Sequence, residues 1–507
     1  MFKNTIVITF FLVLSGVLGF VAQIVFANSF GASAEMDVYF KILSVPAILT
    51  GISTIIFSSV LIPAFAKLKT NELELETFIE SLFSLIFTFG VLFALLGLVV
   101  SVYFTDYFIP ESTPYFRKIG IQVSLMVWIG SGFIVISGYL SAILNYRRKF
   151  FSVAWTNLLP ASLMIFVVLL FNEELGIRSI ALGYSIALVI QFIVFFKASK
   201  LTMYSFKIES VQIPFKNLLL KQSFLVTLSL LPFTILAPIA YFWASSLEIG
   251  SISYLGYSQN FAGFLSVVVS MGISIVSLPE LADRFVDENS DSSLFQFEKS
   301  LRLVMLLVIF ASGALITLRI PILQLFYQRG AFDLEAVNNL SSVLPWYLLA
   351  AIFIAGLNFL RTFFYSRGEF KKIAWLGIII PIIFFLLAGV LKEKFSFVGI
   401  GMAYSLTFAL LFFTTIFLAQ RKDLQFLTNN FLFFILKNTL AVISTSLIVN
   451  FSLPIFANIT YQLVSLTISL ILFFFIYFLI SKFIFKLNEI QEIITILMSK
   501  LKSSVKS

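Results

Sequence analysis

The 507-residue sequence contains neither cysteine nor histidine. The first absence excludes disulfide bonds, thiol nucleophiles and thiolate metal sites, and the second excludes imidazole as a proton relay or metal ligand. Charge is also scarce, because only 12% of the residues are Asp, Glu, Lys or Arg. A soluble domain typically carries about twice that fraction. The chain is therefore predicted to be solvated by lipid over most of its length.

Long apolar runs stand where charge is lacking. Hydrophobic residues make up 60% of the sequence, and the mean hydropathy is +1.04. A helix that crosses a bilayer needs about 20 apolar residues. The sequence predicts an all-α polytopic membrane protein with about fourteen transmembrane helices, at 5–27, 38–65, 77–104, 119–143, 151–171, 179–198, 222–246, 252–279, 303–326, 336–363, 373–391, 397–419, 431–450 and 457–481.

Basic residues are distributed unevenly between the two ends of these runs. With the N-terminus placed in the cytoplasm, most of the 34 Lys and Arg residues fall in or beside cytoplasmic segments. Those outside or near the outer face are Lys41, Arg117, Lys118, Arg178, Arg319, Arg329, Lys392 and Lys394. This asymmetry follows the positive-inside rule and predicts that both termini are cytoplasmic. The net charge of +9 is thus mainly a topology signal, and nucleic acid is not an expected partner.

One phrase, Arg-x-x-Phe-x-x-x-Ala-Trp, occurs at 147–155 and again at 367–375. Tyr184 and Tyr404, each followed by Ser, are separated by the same offset. Each member of a pair is displaced from its copy by six predicted spans, and an even number preserves the orientation in the membrane. The two halves are therefore predicted to be parallel repeats, related by an axis normal to the membrane.

The repeat divides the chain into predicted domains. Residues 1–215 and 216–425 would form two parallel six-helix lobes around a central cavity, and 426–484 would add two accessory C-terminal helices. Residues 485–507 are predicted to be a cytoplasmic amphipathic tail that lies on the membrane surface. The apolar residues on one face of that tail are Leu487, Ile490, Ile494, Leu497 and Leu501.

Arg147, Arg148 and Arg367 belong to the two copies of the repeated basic phrase. Each copy is predicted to be a short cytoplasmic turn between the fourth and fifth helices of its lobe. Two roles stay open for these residues. They either anchor the membrane topology or contact an anionic lipid headgroup.

No pattern in the sequence is typical of an active site. No paired carboxylates fall inside an apolar run, no glycine-rich phosphate loop follows a strand, and no spacing matches a metal site. No soluble stretch is long enough for a nucleotide-binding domain. We therefore expect a transporter and not an enzyme, with no catalytic residue, no metal and no cofactor. An ion gradient or the membrane potential would supply the driving force.

Asp37 and Lys41 are charged residues at the outer end of the predicted span 38–65. Charges at such positions are functional candidates because burial in lipid is costly. Their i, i+4 spacing would allow them to pair with each other. In the structural interpretation, Asp37 starts a helix and Lys41 pairs with it. In the functional interpretation, Lys41 contacts an anion in the cavity, and Asp37 is its partner or a coupling-ion site.

Other polar residues within spans complete the candidate substrate-binding set. Arg361 lies near the inner end of the tenth span with Asn358 about one turn away, where it would contact cargo or extend to the cytoplasmic interface. Gln23, Gln259 and Asn260 are uncharged amides at related places in the two lobes. They would form hydrogen bonds between helices or recognise sugars.

Three segments resemble motifs of the MurJ/MviN family of the multidrug, oligosaccharidyl-lipid and polysaccharide exporter superfamily. They are SFGASAEMDVYF (29–40), LFYQRGAFDLEAV (325–337) and FYSRGEFKKIAW (364–375), and QRGAF is the most specific piece. The resemblance covers almost the whole chain. It implies a flippase of the bacterial inner membrane that moves lipid II, the undecaprenyl-pyrophosphate-linked precursor of peptidoglycan. It also implies alternating access of a cationic cavity, a groove for the lipid tail, and partners among membrane lipids and cell-wall or glycan synthesis proteins.

The sequence departs from the family where the family is basic. Arginines typical of its first helix, a basic pair in its second and an Asp-Arg in its eighth are replaced here. The positions hold Gly16, Ala22, Gln23, Thr50, Gly51, Gln259 and Asn260. A buried pyrophosphate with few basic partners would be poorly compensated. Either Lys41 and Arg361 take over this role, or the phosphates stay at the interface, or the cargo differs.

Three further functions stay open beside lipid II flipping. The first is flipping of an O-antigen or capsule-type repeat unit on the same lipid carrier. The second is cation-coupled export of small molecules, which predicts acidic residues deep in the N-terminal lobe and finds only Asp37 near one end. The third is a transport-inactive relative that scaffolds envelope synthesis.

Overall fold

The structure, a computed structural model, describes residues 2–68, 72–103, 114–201, 216–265, 291–366, 370–420, 429–456 and 462–490. These residues form helices and contain no β-strand. In chain order the helices are α1 (Phe2–Phe30), α2 (Ala34–Ile56), α3 (Ile62–Leu68), α4 (Glu72–Tyr103), α5 (Pro114–Tyr146), α6 (Phe150–Thr156), α7 (Leu159–Leu175), α8 (Arg178–Ser199), α9 (Lys216–Thr234), α10 (Leu236–Ala244), α11 (251–265), α12 (Asp291–Thr317), α13 (Arg319–Phe326), α14 (Leu334–Ser366), α15 (Phe370–Ala374), α16 (Leu376–Gln420), α17 (Asn429–Phe456) and α18 (Gln462–Leu479). Two π-helical segments, Phe57–Leu61 and Ile480–Ile484, adjoin α3 and α18.

Within the described ranges, twelve helical segments are long and apolar enough to cross a membrane. One of them, Leu376–Leu418, has 43 residues. A continuous helix of that length would extend about 65 Å, roughly twice the hydrocarbon thickness of a bilayer. The backbone at Ser396 leaves the helical region with φ of 52° and ψ of −141°. The segment is therefore two consecutive helices joined at Ser396.

The two parts of α16 match the predicted spans 373–391 and 397–419. The predicted span 252–279 is described only as far as residue 265, where α11 reaches the limit of the described range. Every other predicted span overlaps one of the apolar helical segments. The prediction of an all-α polytopic membrane protein is thus confirmed. The lobes 1–215 and 216–425 stay a prediction.

The chain forms two compact units. Unit 1 consists of Met1–Asn260, Arg329–Ala336 and Phe363–Thr407, and unit 2 of Phe261–Gln328, Val337–Thr362 and Phe408–Ser507. Long-range packing therefore assigns stretches distant in sequence to the same unit.

A large hydrophobic cluster of unit 1 lies between α4, α5, α8 and the segment that continues α2. Buried aromatic side chains, among them Phe65, Phe83 and Tyr139, form its centre. The Tyr139 hydroxyl donates a hydrogen bond of 2.7 Å to the Ile79 carbonyl, so its polar atom is satisfied inside an apolar cluster. Each such ring buries a large apolar area and therefore contributes strongly to the stability of the cluster.

In unit 2, α12 packs against the accessory helices α17 and α18. Gly313 of α12 leaves the space that Val442 fills, because an added Cβ would lie 2.0 Å from a Val442 methyl carbon. The Phe310 ring lies 4.7 Å from that of Tyr477, measured between centroids. Small residues at a helix crossing permit this close approach in lipid, where packing rather than water exclusion drives association.

A buried ion cluster lies at the base of the predicted tail. Arg302 of α12 donates to Glu298 at 2.6 and 2.9 Å and to Glu489 at 3.0 Å. Leu487 and Ile490 are both buried, as expected for the apolar face of the tail. The other residues of that face, at 494, 497 and 501, lie outside the described residues, so the amphipathic tail itself stays a prediction.

Candidate functional site

The turn between α1 and α2 is held by the motif that includes Gly330. Ala331 N–H donates a hydrogen bond of 2.9 Å to the Asn28 carbonyl. Gly31 and Gly330 both have positive φ, at 61° and 50°. A Cβ on Gly31 would clash with the Ala331 carbonyl oxygen, and a Cβ on Gly330 would clash with the Asn28 carbonyl oxygen. The glycines of the two family-like motifs are therefore needed for close backbone approach.

α11 contributes a second contact to the same turn. The Tyr257 hydroxyl donates a hydrogen bond of 3.0 Å to the Gly31 carbonyl. The Tyr257 ring is also in edge contact with Phe332, with centroids 5.6 Å apart. The turn thus sits between α11 and the segment around residue 331.

Asp37 caps the N-terminus of α11. Its Oδ2 accepts from Gly250 N–H at 2.7 Å, and its Oδ1 accepts from Ser253 N–H at 2.7 Å and from Ser253 Oγ at 2.5 Å. The first N–H groups of a helix have no intrahelical acceptor, and the positive end of the helix dipole favours a carboxylate there. Asp37 therefore supplies from a distant helix the caps that α11 needs.

Local sequence places Asp37 correctly for this role. Ser33 precedes α2, and its Oγ accepts from Met36 N–H at 3.3 Å, which is an N-cap contact. Asp37 follows in the first turn of α2. On the other side, Gly250 adopts φ of 91° before α11 begins, which a residue with a side chain rarely adopts.

Lys41 lies one turn beyond Asp37 and is only 7% exposed. The i, i+4 spacing suggested an ion pair between them, but no ion pair joins these two described residues. Both Asp37 oxygens instead accept hydrogen bonds from the start of α11. Among the residues that the structure describes, the Lys41 ammonium has neither a hydrogen bond nor an ion pair. A cation on a largely buried residue is costly when no carboxylate pairs with it. It is accordingly the group of the site most suited to bind an anion.

The amides of unit 1 are also placed on helices of this site. Gln23 lies on α1, and its Oε1 is buried and accepts no hydrogen bond from the described part of the chain. Gln259 is half-buried and Asn260 is exposed, on α11. They follow Ser253 by about two helical turns, roughly 10 Å along the axis. The cap at Asp37 therefore sets the position of the helix that carries both amides.

The candidates in unit 2 form a local pair. Arg361 Nη2 donates a hydrogen bond of 2.9 Å to Asn358 Oδ1, one turn earlier on α14. Arg361 is half-buried and Asn358 is exposed. The predicted proximity of these two residues is thus observed.

The basic turn at 147–149 has structural partners. Arg147 donates to both oxygens of Glu76 at 2.7 and 2.6 Å, and also to the Ser199 carbonyl. Lys149 Nζ donates to the Ala198 carbonyl at 2.6 Å. These cations satisfy the last carbonyls of α8 and oppose its negative dipole end. This network favours the anchoring interpretation of Arg147. Arg148 is exposed, and Arg367 lies outside the described residues.

Sequence patterns did not identify Gly250, Ser253 or Glu76 as partners. The Gly-Ser pair at 250–251, directly before an apolar run, was a signal for a helix start. The carboxylate that accepts the hydrogen bond from Gly250 N–H belongs to Asp37, 213 positions earlier in the chain. No periodicity or local motif relates positions so far apart.

Comparison with known proteins agrees with the fold and the motifs. Residues 26–473 match the family model of the lipid II flippase MurJ. A probable lipid II flippase MurJ of Borreliella burgdorferi is 22% identical over 454 residues, which cover 87% of each chain. A probable lipid II flippase MurJ of Buchnera aphidicola subsp. Baizongia pistaciae is 26% identical over 455 residues, which cover 86% of each chain.

A solved structure of lipid II flippase MurJ in an inward closed conformation has the same fold. Its TM-score is 0.77 at 21% identity, and the match covers 94% of this chain and 98% of that one. The family model covers most of the sequence, including α2, α11 and the motif around Gly330. The chain belongs to the lipid II flippase MurJ family.

Proposed function

We propose that this protein moves lipid II across the bacterial inner membrane by alternating access, and that Lys41 contacts the pyrophosphate. The observation that carries the proposal is the Lys41 side chain, which belongs to a residue only 7% exposed and whose ammonium has no hydrogen bond or ion pair among the described residues. Family membership supports lipid II as the cargo. Both termini would be cytoplasmic, so the turn between α1 and α2 would face outward.

Lys41 suits a phosphate for electrostatic reasons. A pyrophosphate leaving the headgroup region loses hydration and needs charged donors. A charged hydrogen bond contributes about 1.5–3 kcal/mol to such binding. The family's first-helix arginines are absent here. Lys41 would therefore supply a larger share of the positive charge that stabilises the dehydrated pyrophosphate than it would in a site with several cations.

Asp37 would act as an outer latch, which we define as its contact with Gly250 and Ser253. Alternating access needs contacts that form in one state and break in the other, and cargo shifts the equilibrium only through unequal affinity for the two states. The carboxylate caps α11 when the latch is closed. Its release would let the start of α11 move away from α2 and open the outer side.

A second cargo is suggested by the amides. Gln23 has a buried Oε1 that accepts no hydrogen bond from the described residues. Gln23, Gln259 and Asn260 could donate to and accept from sugar hydroxyls at positions where the family is basic. An O-antigen or capsule-type repeat unit on the same lipid carrier would use such neutral contacts.

Mass spectrometry of lipid-linked intermediates after depletion of the protein in its native cell separates the two cargoes. Accumulation of the disaccharide-pentapeptide lipid, followed by lysis, is expected for lipid II flipping. Accumulation of another undecaprenyl-linked oligosaccharide with normal peptidoglycan would replace lipid II by that glycan. Unchanged intermediates of both kinds would contradict flipping of either.

The remaining components of the proposal concern the setting of transport. An ion gradient or the membrane potential would drive the cycle, with no chemical reaction on the cargo. Membrane lipids and cell-wall or glycan synthesis proteins would be the partners. Collapse of the membrane potential or of one gradient at a time, with flipping measured after each, tests which force is used.

A further inference from the structure

Lys392 lies next to the break in α16 and has an unusual set of partners. Its Nζ is 4.7 Å from the centroid of the Trp243 ring and donates a hydrogen bond of 2.8 Å to Ser246 Oγ. Glu393 Oε1 lies 3.5 Å from the same nitrogen. The Lys392 side chain is only 12% exposed, whereas that of Glu393 is 74% exposed. The ammonium thus packs against the last turn of α10 and the chain that follows it.

The place of this ammonium fits the charge of a helix end. α10 ends at Ala244, so Trp243 and Ser246 flank its C-terminus. A cation is favoured there because the last carbonyls carry the negative end of the helix dipole. A cation near the face of an indole gains a further attraction from the ring.

Trp243 itself is fixed on the first half of α16. Its Nε1–H donates a hydrogen bond of 3.0 Å to the Phe385 carbonyl. Gly389 leaves the room for the indole, since an added Cβ would lie 2.9 Å from Trp243 Cζ2. The indole is thus held in a fixed position, and the Lys392 ammonium packs against its face.

The loop 245–250 connects the contact between Lys392 and Trp243 to the outer latch. Lys392 holds the loop at Ser246, and Asp37 holds it at Gly250. Just after the break, Phe397 lies 5.2 Å from the Tyr254 ring, in the first turn of α11. The segment 391–397 of α16 therefore contacts both elements. Its Lys392 supports the loop 245–250, and its Phe397 supports the first turn of α11.

We propose that Lys392 is a positioning residue for the outer latch. It holds the loop 245–250 so that Gly250 N–H and Ser253 reach the Asp37 carboxylate, and it thereby makes the break in α16 part of the outer closure. This inference rests on the proposed role of Asp37 in closing the outer side. It does not depend on which glycan is carried.

A single cysteine reports the state of the latch, because the chain contains no cysteine of its own. Ser251→Cys is a conservative reporter: Ser251 is fully buried, and its Oγ has no hydrogen-bond partner among the described residues. The rate of reaction with a membrane-impermeant maleimide in proteoliposomes measures how often the start of α11 is exposed. No cargo is needed for this measurement.

Lys392→Gln should raise the labelling rate about tenfold, the factor that corresponds to loss of one charged hydrogen bond. Lys392→Arg should stay near the parent rate, because a guanidinium can contact both the indole and Ser246. Lys437→Gln is the matched control, since Lys437 also lies over a ring, that of Phe433 at 4.6 Å, but belongs to unit 2. Unchanged labelling in properly folded Lys392→Gln would overturn the proposal.

The Asp37→Asn background tests whether Lys392 acts through the latch. If it does, Lys392→Gln adds little to the labelling rate once Asp37 is neutral, whereas independent effects would multiply. Multiplying effects would overturn the proposal. If Asp37→Asn alone leaves labelling unchanged, the latch fails, and Lys392 as its positioning residue fails with it. If lipid II is not flipped while the labelling rate of every variant changes as expected, the result counts against the cargo assignment alone.

Discussion

Asp37 accepts two hydrogen bonds from Ser253, one from its main-chain N–H and one from its hydroxyl, across 216 positions of the sequence. This pair ties the first turn of α2 to the first turn of α11. Both helices carry candidate cargo contacts, Lys41 on α2 and Gln259 on α11. The Asp37–Ser253 contact therefore fixes the position of these two side chains relative to each other.

Asp37→Ala should lower stability more than Ser253→Ala does. The alanine at 37 leaves the start of α11 without its caps, whereas the alanine at 253 removes the hydroxyl bond and keeps both main-chain bonds. Loss of a helix cap costs about 0.5–2 kcal/mol. Thermal unfolding of both variants in detergent measures the difference. Equal losses would show that the main-chain caps contribute little.

Lys41→Ala should reduce flipping of lipid II in proteoliposomes by about tenfold or more, as expected for loss of one charged contact. Lys41→Arg should keep much of the activity because it keeps the charge. Lys437→Ala, at a cation in unit 2, is the control and should flip at the parent rate. Full activity of both Lys41 variants would remove this residue from the site.

Arg147→Gln should lower stability by about 1 kcal/mol, since its ion pair with the half-exposed Glu76 is partly solvated. Flipping should survive at temperatures where the variant stays folded, because Arg147 acts as an anchor here. The double exchange Arg147→Glu with Glu76→Arg should recover part of the loss. Normal stability with lost flipping would favour a headgroup contact instead.

Arg302→Met should destabilise unit 2 by about 3–5 kcal/mol, because it leaves two buried carboxylates without their partner. Adding Glu298→Gln and Glu489→Gln should restore much of the stability by removing the uncompensated charge. Protease cleavage after residue 490, followed over time, reports whether the tail base detaches. Cleavage as slow as in the parent would show that packing of Leu487 and Ile490 suffices.

Gly330→Ala should impair folding or outer closure although it adds one methyl group. Gly330 has φ of 50°, and its added Cβ would clash with the Asn28 carbonyl oxygen. Gly176→Ala has a similar φ of 56° but open space around it, so it controls for backbone strain alone. The yield of folded protein and the labelling of Ser251→Cys measure the outcome. Equal behaviour of the two variants would attribute the effect to strain, not to the contact.

Most membrane spans were located correctly because their signal is local, although the predicted span 303–326 runs across the end of α12 at Thr317 into α13. A spanning helix satisfies its own backbone and needs only a sufficient apolar length, so the two parts of α16 were separated correctly around Ser396. The candidate site was predicted less completely. Asp37 was singled out for its charge, but its partner was expected four residues away, at Lys41.

The sequence by itself determined the all-α membrane class, the approximate positions of the apolar helices and the family motifs, since each depends on neighbouring residues. Only the tertiary structure decided which polar groups meet: Asp37 with the start of α11, Arg147 with the end of α8, and Lys392 with Trp243. In each case a helix end or ring receives a charge from a residue far away in the chain. Such contacts depend on how helices pack, and no local pattern encodes them.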